Sequence, residues 1–131
     1  MIVVDTSALV AIFRREPGHD RFRKLLQSPG PVAVSAGTAV ELAAVTGRSA
    51  HLREEANRFL DQPFVRIEPV TAEQARMASA AFRAWGKGHH PAGLNLGDMF
   101  AYLLARERNL PLLFKGNDFS RTDVRNAMDE A

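Results

Sequence analysis

Four carboxylates stand apart from the other acids of this 131-residue chain because their neighbours are apolar, small or glycine-rich rather than charged. Asp5 ends the run MIVVD, Glu41 lies within SAGTAVELAAV, Asp98 follows the glycine of LNLGD, and Asp118 comes after LPLLFKGN. The helical neighbours of Glu41 at three and four positions, Gly37, Thr38, Ala44 and Val45, offer it no cation. A lone Glu on such a face is costly to ionise unless something positive meets it. Gathering the four acids raises that cost, since two like charges about 4 Å apart repel by roughly 4 kcal/mol at an effective dielectric near 20. A hard divalent cation held by oxygen ligands and water relieves the repulsion, and Mg²⁺ or Mn²⁺ is the chemically suitable choice. Such a cluster suits metal-assisted phosphodiester hydrolysis, in which the ion acidifies a bound water and offsets charge building on the phosphoryl oxygens.

Each acid also has a plainer structural role. Asp5 is a good cap for a helix beginning at Ser7. Asp98 stands three residues after Asn95, the expected N-cap of the next helix, and a carboxylate in a first turn is favoured by the helix dipole. Asp118 is of a type common in turns. The joint pattern carries more than any one member, and it depends on which elements bring the acids together.

Ile2, Val3 and Val4 do not alternate with polar residues, which predicts a parallel strand covered on both faces, with Asp5 at its carboxyl end. Ligand crevices in open α/β sheets form at such ends. SALVAIFRR and HDRFRKLLQ read as helices, the second closed by a turn over Ser28 to Pro31. VAVS is a second strand, Ser35 caps a long helix to about Val45, and another helix spans Ala50 to Leu60. VRIEPV is a third strand, and Thr71 with Gln74 three residues on starts AEQARMASAAFRAW in the manner of a capping box. After the loop GKGHHPAGLNLG come the amphipathic helix GDMFAYLLARERN and the strand LPLLF, with a fifth strand expected near Thr122 to Val124. Alternating strands and helices argue for a parallel sheet flanked on both faces, and right-handed crossovers put every strand's carboxyl end on one side. Asp5 and Asp118 then share a rim onto which the helices lower Glu41 and Asp98.

The length is that of a single domain, residues 1–131, able to bury a core without staples. The absence of cysteine excludes a disulfide framework and a thiolate zinc site, and a reducing cytoplasm is the natural compartment. Asp5 interrupts the amino-terminal apolar run before it could serve as a targeting core. The stretch VAVSAGTAVELAAVT contains Glu41 and falls short of the roughly 20 apolar residues of a membrane helix, so a soluble chain without membrane association is expected. Lys and Arg number 17 against 15 acids, so net charge alone does not argue for nucleic acid. The basic residues cluster in RREPGHDRFRK, RSAHLR and RERN, mostly as Arg, which suits bidentate phosphate contact and equally suits solvated helix faces.

With these motifs the chain resembles the PIN-domain ribonucleases, and within them the VapC-type toxins of bacterial toxin–antitoxin pairs. The resemblance runs through MIVVDTSALVAI, SAGTAVELAAV, GKGHHPAGLNLGDMFAYLLAR and LPLLFKGNDFSRTDV. It implies an α/β/α sandwich around a parallel sheet of four to five short strands, and an acidic cluster that holds Mg²⁺ or Mn²⁺ and cleaves RNA. It also implies a homodimer and a cognate VapB-like antitoxin whose carboxyl-terminal segment crosses the active-site groove. By motif match Asp5, Glu41 and Asp98 take the catalytic, metal-holding roles, while Thr6 and Ser7 match hydroxyls that support them by hydrogen bonding. Related chains commonly carry an acid before Asp where this one has Asn117 and Asp118, so the fourth role is carried to Asp118, with Asp123 in reserve.

Other readings fit less well. His89 and His90 match no role in the resemblance and are expected to face solvent or serve structure. GKG follows a helix rather than a strand and lacks the Lys-Ser/Thr ending of a phosphate-binding loop. A phosphatase of the haloacid-dehalogenase type would want Asp where Ser7 stands, and a receiver domain a phosphoacceptor Asp where Glu68 and Pro69 stand. The rival from another class is a catalytically silent PIN-like module that binds RNA or protein. Trp85 and Phe82 are expected in a core or an interface, and the apolar faces of SALVAIF and AAFRAW exceed what a small core needs, which points to a homodimer.

Overall fold

The computed structural model describes residues 1–28 and 30–130. Strands β1 (Ile2–Val4), β2 (Val32–Ser35), β3 (Val65–Glu68) and β4 (Leu112–Leu113) form a parallel sheet in the order β3-β2-β1-β4. The helices are α1 (Thr6–Phe13), α2 (His19–Leu26), α3 (Ala36–Thr46), α4 (Ala50–Leu60), α5 (Ala72–Trp85) and α6 (Leu96–Arg108). The apolar strands do not alternate because both faces are covered. Val4, Val32, Val34 and Leu113 join a core with Leu9 and Phe13 of α1, Phe22 and Leu26 of α2 and Phe59 of α4. Val3, Ala33 and Leu112 join a second core with Met99 and Leu103 of α6, Ala81 of α5 and Phe119. The result is the expected three-layer α/β/α sandwich.

Strand order locates the working edge. From β1 the chain moves outward to β2 and β3, then returns past β1 to place β4 on its other side. The connections leaving β1 and β4 therefore diverge at their carboxyl ends, which is where open α/β sheets form ligand crevices.

The long helices begin and end close to where residue types put them. Ser35, Ser49 and Thr71 accept hydrogen bonds from the first-turn amides of α3, α4 and α5. The capping box expected at Thr71 is only half formed, because the buried Gln74 side chain donates to Glu107 Oε1 (2.8 Å) instead of turning back. The strand expected over LPLLF keeps ladder pairing only at Leu112–Leu113. Thr122 to Val124, where a fifth strand was expected, forms no strand, and a parallel bridge pairs Leu112 with Asn126 two residues beyond. Thr122 is the physical reason: its hydroxyl donates to Phe119 O (2.7 Å) and accepts from the Val124 amide (3.2 Å), closing a local turn where a ladder was expected. The turn expected over Ser28 to Pro31 includes Pro29, which lies outside the described residues. The face of α1 expected to be surplus is interior, with Ala8, Leu9, Ala11, Ile12 and Phe13 all buried. Exposed large apolar side chains lie elsewhere, with Val40 of α3 72% and Leu96 of α6 65% exposed. Among the described residues no helix is long and apolar enough to cross a membrane.

Candidate functional site

Asp5 leaves β1 and caps α1, its Oδ2 accepting from the Ser7 amide at 3.0 Å. The cap and the site are one residue. Only 2% of Asp5 is exposed, and its Oδ1 has no hydrogen-bond partner among the described residues. Burial pushes the carboxyl up to about 7; hydrogen bonds from Ser7 oppose the rise, and the charges of Asp98 and Glu41 add to it. Even a favourable helix amino terminus does not compensate a carboxylate taken so far out of water.

Glu41 descends from α3 and meets α1, where the Thr6 hydroxyl donates to its Oε1 at 2.6 Å. No Lys or Arg pairs with it among the described residues, as its apolar surroundings predict. Asp98 lies in the first turn of α6 in a full capping box: Asn95 Oδ1 accepts from the Asp98 amide, and Asp98 Oδ2 accepts from the Asn95 amide at 3.0 Å. Burial raises the Asp98 carboxyl above its ordinary value; the Asn95 hydrogen bond opposes this, and the charges of Asp118 and Glu41 add to it. Asp5, Thr6, Ser7, Glu41 and Asp98 line one cleft of about 340 Å³.

Two glycines allow α3 and α6 to approach. A Cβ built on Gly37 would overlap the Phe100 ring, and one built on Gly97 would overlap the Glu41 carboxylate. Gly97 is thus part of the site although it carries no side chain, and its only sequence signal is its place directly before Asp98. Sequence reasoning also missed Glu16 and Lys115, which line the same cleft. Both stand among charged or glycine-rich neighbours where nothing marks them out.

The remaining candidates divide. Asp118 is exposed at the start of the 3₁₀ turn Phe119–Arg121, outside the cleft lining yet near enough to Asp98 to act on it electrostatically. Asp123 is engaged elsewhere: it accepts from the Tyr102 hydroxyl at 2.6 Å, which itself accepts from Trp85 Nε1 at 3.0 Å, and it pairs with Arg106. That network ties α5 and α6 to the carboxyl-terminal segment, and Trp85 belongs to it as a structural residue. His90 Nδ1 accepts from the Ala92 amide, and its ring packs edge-on against Trp85. Neither His89 nor His90 lines the cleft.

Among the described residues no three acidic or histidine side chains already stand around a common ligating point. The chemistry nevertheless fits a hard dication. Every candidate donor is an oxygen, one buried carboxylate oxygen lacks any partner among the described residues, and two carboxyls have proton affinities raised by burial and by neighbouring acids. Each of the three acids has one oxygen held, by Ser7, Thr6 or Asn95, and the second without a protein partner among the described residues.

The PIN-domain family model matches residues 2–125. Ribonuclease VapC42 of Mycobacterium tuberculosis is 42% identical over 129 residues, covering 96% of this chain and 98% of its own length. Ribonuclease VapC28 of the same organism is 39% identical over 131 residues, with 98% of each covered. Among solved structures, the M. tuberculosis toxin VapC20, described as cleaving the sarcin-ricin loop, superposes with a TM-score of 0.76 over 95% of this chain and 96% of its own at 21% identity. VapBC2 from Rickettsia felis, bound to a DNA fragment from its promoter, superposes with a TM-score of 0.70, 96% coverage of both chains and 16% identity; these two likenesses concern the fold. By family match and by identity over nearly its whole length, the chain belongs to the PIN-domain family, among its VapC ribonucleases.

Proposed function

We propose that this chain, as one PIN domain over residues 1–131, is a metal-dependent endoribonuclease and the toxin partner of a VapB-like antitoxin. The observation that carries the reading is the buried, unpartnered Oδ1 of Asp5 in a cleft shared with Glu41 and Asp98. Asp5, Glu41 and Asp98 would hold Mg²⁺ or Mn²⁺, with Asp118 contributing negative charge from the rim. When bound, the ion supplies an acidified water and positive charge for the phosphoryl oxygens.

The chain's own residues perform the positioning. The Ser7 amide fixes Asp5, the Thr6 hydroxyl fixes Glu41, and the Asn95 backbone fixes Asp98, so that each carboxylate is oriented before substrate arrives. Preorganisation of this kind removes a reorganisation cost at the moment of reaction. Attack of water on phosphorus releases a proton, which passes to solvent. Phosphate contact alone is sequence-tolerant, so selectivity among RNAs rests on shape or on unpaired bases.

The superposition on toxin–antitoxin complexes from Rickettsia felis and Klebsiella pneumoniae supports an antitoxin partner for this chain. A homodimer and a cytoplasmic location complete the proposal; the exposed Val40 and Leu96 are the apolar side chains a second copy would cover. The test is cleavage of RNA in Mg²⁺ or Mn²⁺, in EDTA, and by Asp5→Asn. Cleavage confined to the unaltered protein with metal is expected; equal cleavage in all conditions defeats the reading. Saturable RNA binding with no cleavage in either metal would identify a silent module instead.

A further inference from the structure

Among the described residues lining the carboxylate cleft, Lys115 is the one cation. Its root is fixed. It stands two residues after β4, and its amide donates to Ser7 Oγ at 3.0 Å, fastening the segment after β4 to the first turn of α1 beside Asp5. Its ammonium does not go to Asp5, Glu41 or Asp98. It pairs with Glu16 Oε1 at 2.7 Å. Glu16 reaches this position because α1 ends in a reversing turn: the Arg15 amide donates to Ile12 O, the Glu16 amide donates to Ala11 O, and Arg15 takes a left-handed conformation with φ 53°. The two side chains are 36% and 32% exposed, so water reaches the pair and its ends can part without stranding a charge.

We propose that Lys115 binds a non-bridging phosphate oxygen of the RNA substrate, and that Glu16 holds the ammonium in reserve until RNA arrives. The inference rests on the ribonuclease reading above. A cleft walled by three carboxylates repels a polyanion, and a single ammonium at the point where β1 and β4 diverge offsets that repulsion locally. Pairing with Glu16 also keeps the ammonium from neutralising Asp5, whose unpartnered oxygen it would otherwise compete for. Lysine suits the exchange, being a compact charge with three donors on a flexible stem. Glu16 is a positioning residue in this scheme.

The experiment measures cleavage of a single-stranded oligoribonucleotide with Mn²⁺ over a range of salt concentrations. The proteins are the unaltered chain, Lys115→Met, Lys115→Gln, Lys115→Arg, Glu16→Gln and the Lys115→Met/Glu16→Gln double variant. A charge-assisted contact of this kind is worth about tenfold, so Lys115→Met and Lys115→Gln raise KM by about that factor while kcat changes far less. The dependence of log KM on log salt flattens by about 0.7, the contribution of one phosphate contact to a single strand. Lys115→Arg keeps most of the affinity. Glu16→Gln lowers KM, and the gain disappears in the Lys115→Met background because the two residues act on each other. Manganese binding by calorimetry is retained in Lys115→Met, and tightens rather than weakens because a positive charge leaves the cleft. Unchanged KM and salt slope in the Met and Gln variants, with cleavage abolished by Asp5→Asn, would overturn the Lys115 assignment and leave the ribonuclease reading standing. A Glu16→Gln gain of equal size in both backgrounds would overturn the reserve role. An unaltered protein that neither cleaves nor binds the oligoribonucleotide would overturn both readings together.

Discussion

Replacing Asp5 by Asn removes a buried charge while keeping an oxygen for the Ser7 amide and a residue type well suited to an N-cap. In metal-free protein the Asp5 carboxyl titrates near 7, against an ordinary value of 3.8, chiefly because it is buried. Between about pH 4 and 7 the native state therefore holds a proton that the unfolded chain has released. Stability falls as pH rises through that window and levels off above it. A shift of about three pH units at 1.36 kcal/mol per unit amounts to about 4 kcal/mol above pH 7. The Asn side chain places an amide NH₂ near the unpartnered Oδ1 position, at a cost of about 1–2 kcal/mol. The net expectation at pH 7.5 in EDTA is a gain of about 2 kcal/mol, or roughly 5–8 °C in Tm for a domain of this size. At pH 5 the two effects nearly cancel and the variants melt together. Saturating Mn²⁺ reverses the order at pH 7.5, because an ion that binds only the native state stabilises the unaltered protein by mass action. Thermal unfolding followed by circular dichroism at both pH values, with EDTA or Mn²⁺, makes the comparison. Should Asp5→Asn in EDTA melt no higher than the unaltered protein at pH 7.5, or show the same slope with pH, an unpaired buried carboxylate is not what the cleft contains.

Three further outcomes follow from the same geometry. Gly97→Ala drives a methyl group into the Glu41 carboxylate, so it destabilises by about 1–3 kcal/mol and weakens Mn²⁺ binding, read by chemical denaturation and calorimetry. Arg15→Gly relieves a left-handed conformation that costs a non-glycine residue about 1 kcal/mol or more, and raises the urea midpoint accordingly. Asp118→Asn lowers Mn²⁺ affinity and leaves stability nearly unchanged, whereas Asp123→Asn weakens the Tyr102 and Arg106 contacts by about 1 kcal/mol and leaves Mn²⁺ affinity alone. Calorimetry and denaturation on the Asp118 and Asp123 variants separate the acid that acts on the site from the one that braces the fold.

The architecture was readable where one residue pattern admits one physical solution. Ile2, Val3 and Val4 without polar alternation demand cover on both faces, and α1, α2 and α4 on one side with α5 and α6 on the other supply it. Caps at Ser35 and Thr71 mark helix starts because their hydroxyls satisfy amides that no helix can satisfy internally. Pairing and exposure were less readable because they depend on neighbours the sequence does not name. Thr122 to Val124 has strand-forming residue types, yet the Thr122 hydroxyl captures the local backbone first. The apolar residues of α1 show hydrophobicity in sequence, but only the placement of α2 and α4 shows that the helix is covered.

The same distinction explains which site residues could be found. Asp5, Glu41 and Asp98 are conspicuous because apolar or glycine-rich neighbours give a charge no local reason to be there. Glu16 and Lys115 sit in RREPG and FKGND, where a charged residue needs no explanation, and only the turn after α1 brings them together. Capping and metal-holding are compatible accounts of Asp5 and Asp98, each of which caps a helix and lines the cleft. A cap engages a single carboxylate oxygen and leaves the second without a protein partner. For Asp5 that second oxygen is sealed from water, so the local bond that orients the residue also leaves an acceptor whose cost only a ligand can offset. A capping aspartate whose other oxygen is exposed carries no such cost, so burial, more than residue type or helix position, separates Asp5 from an ordinary cap.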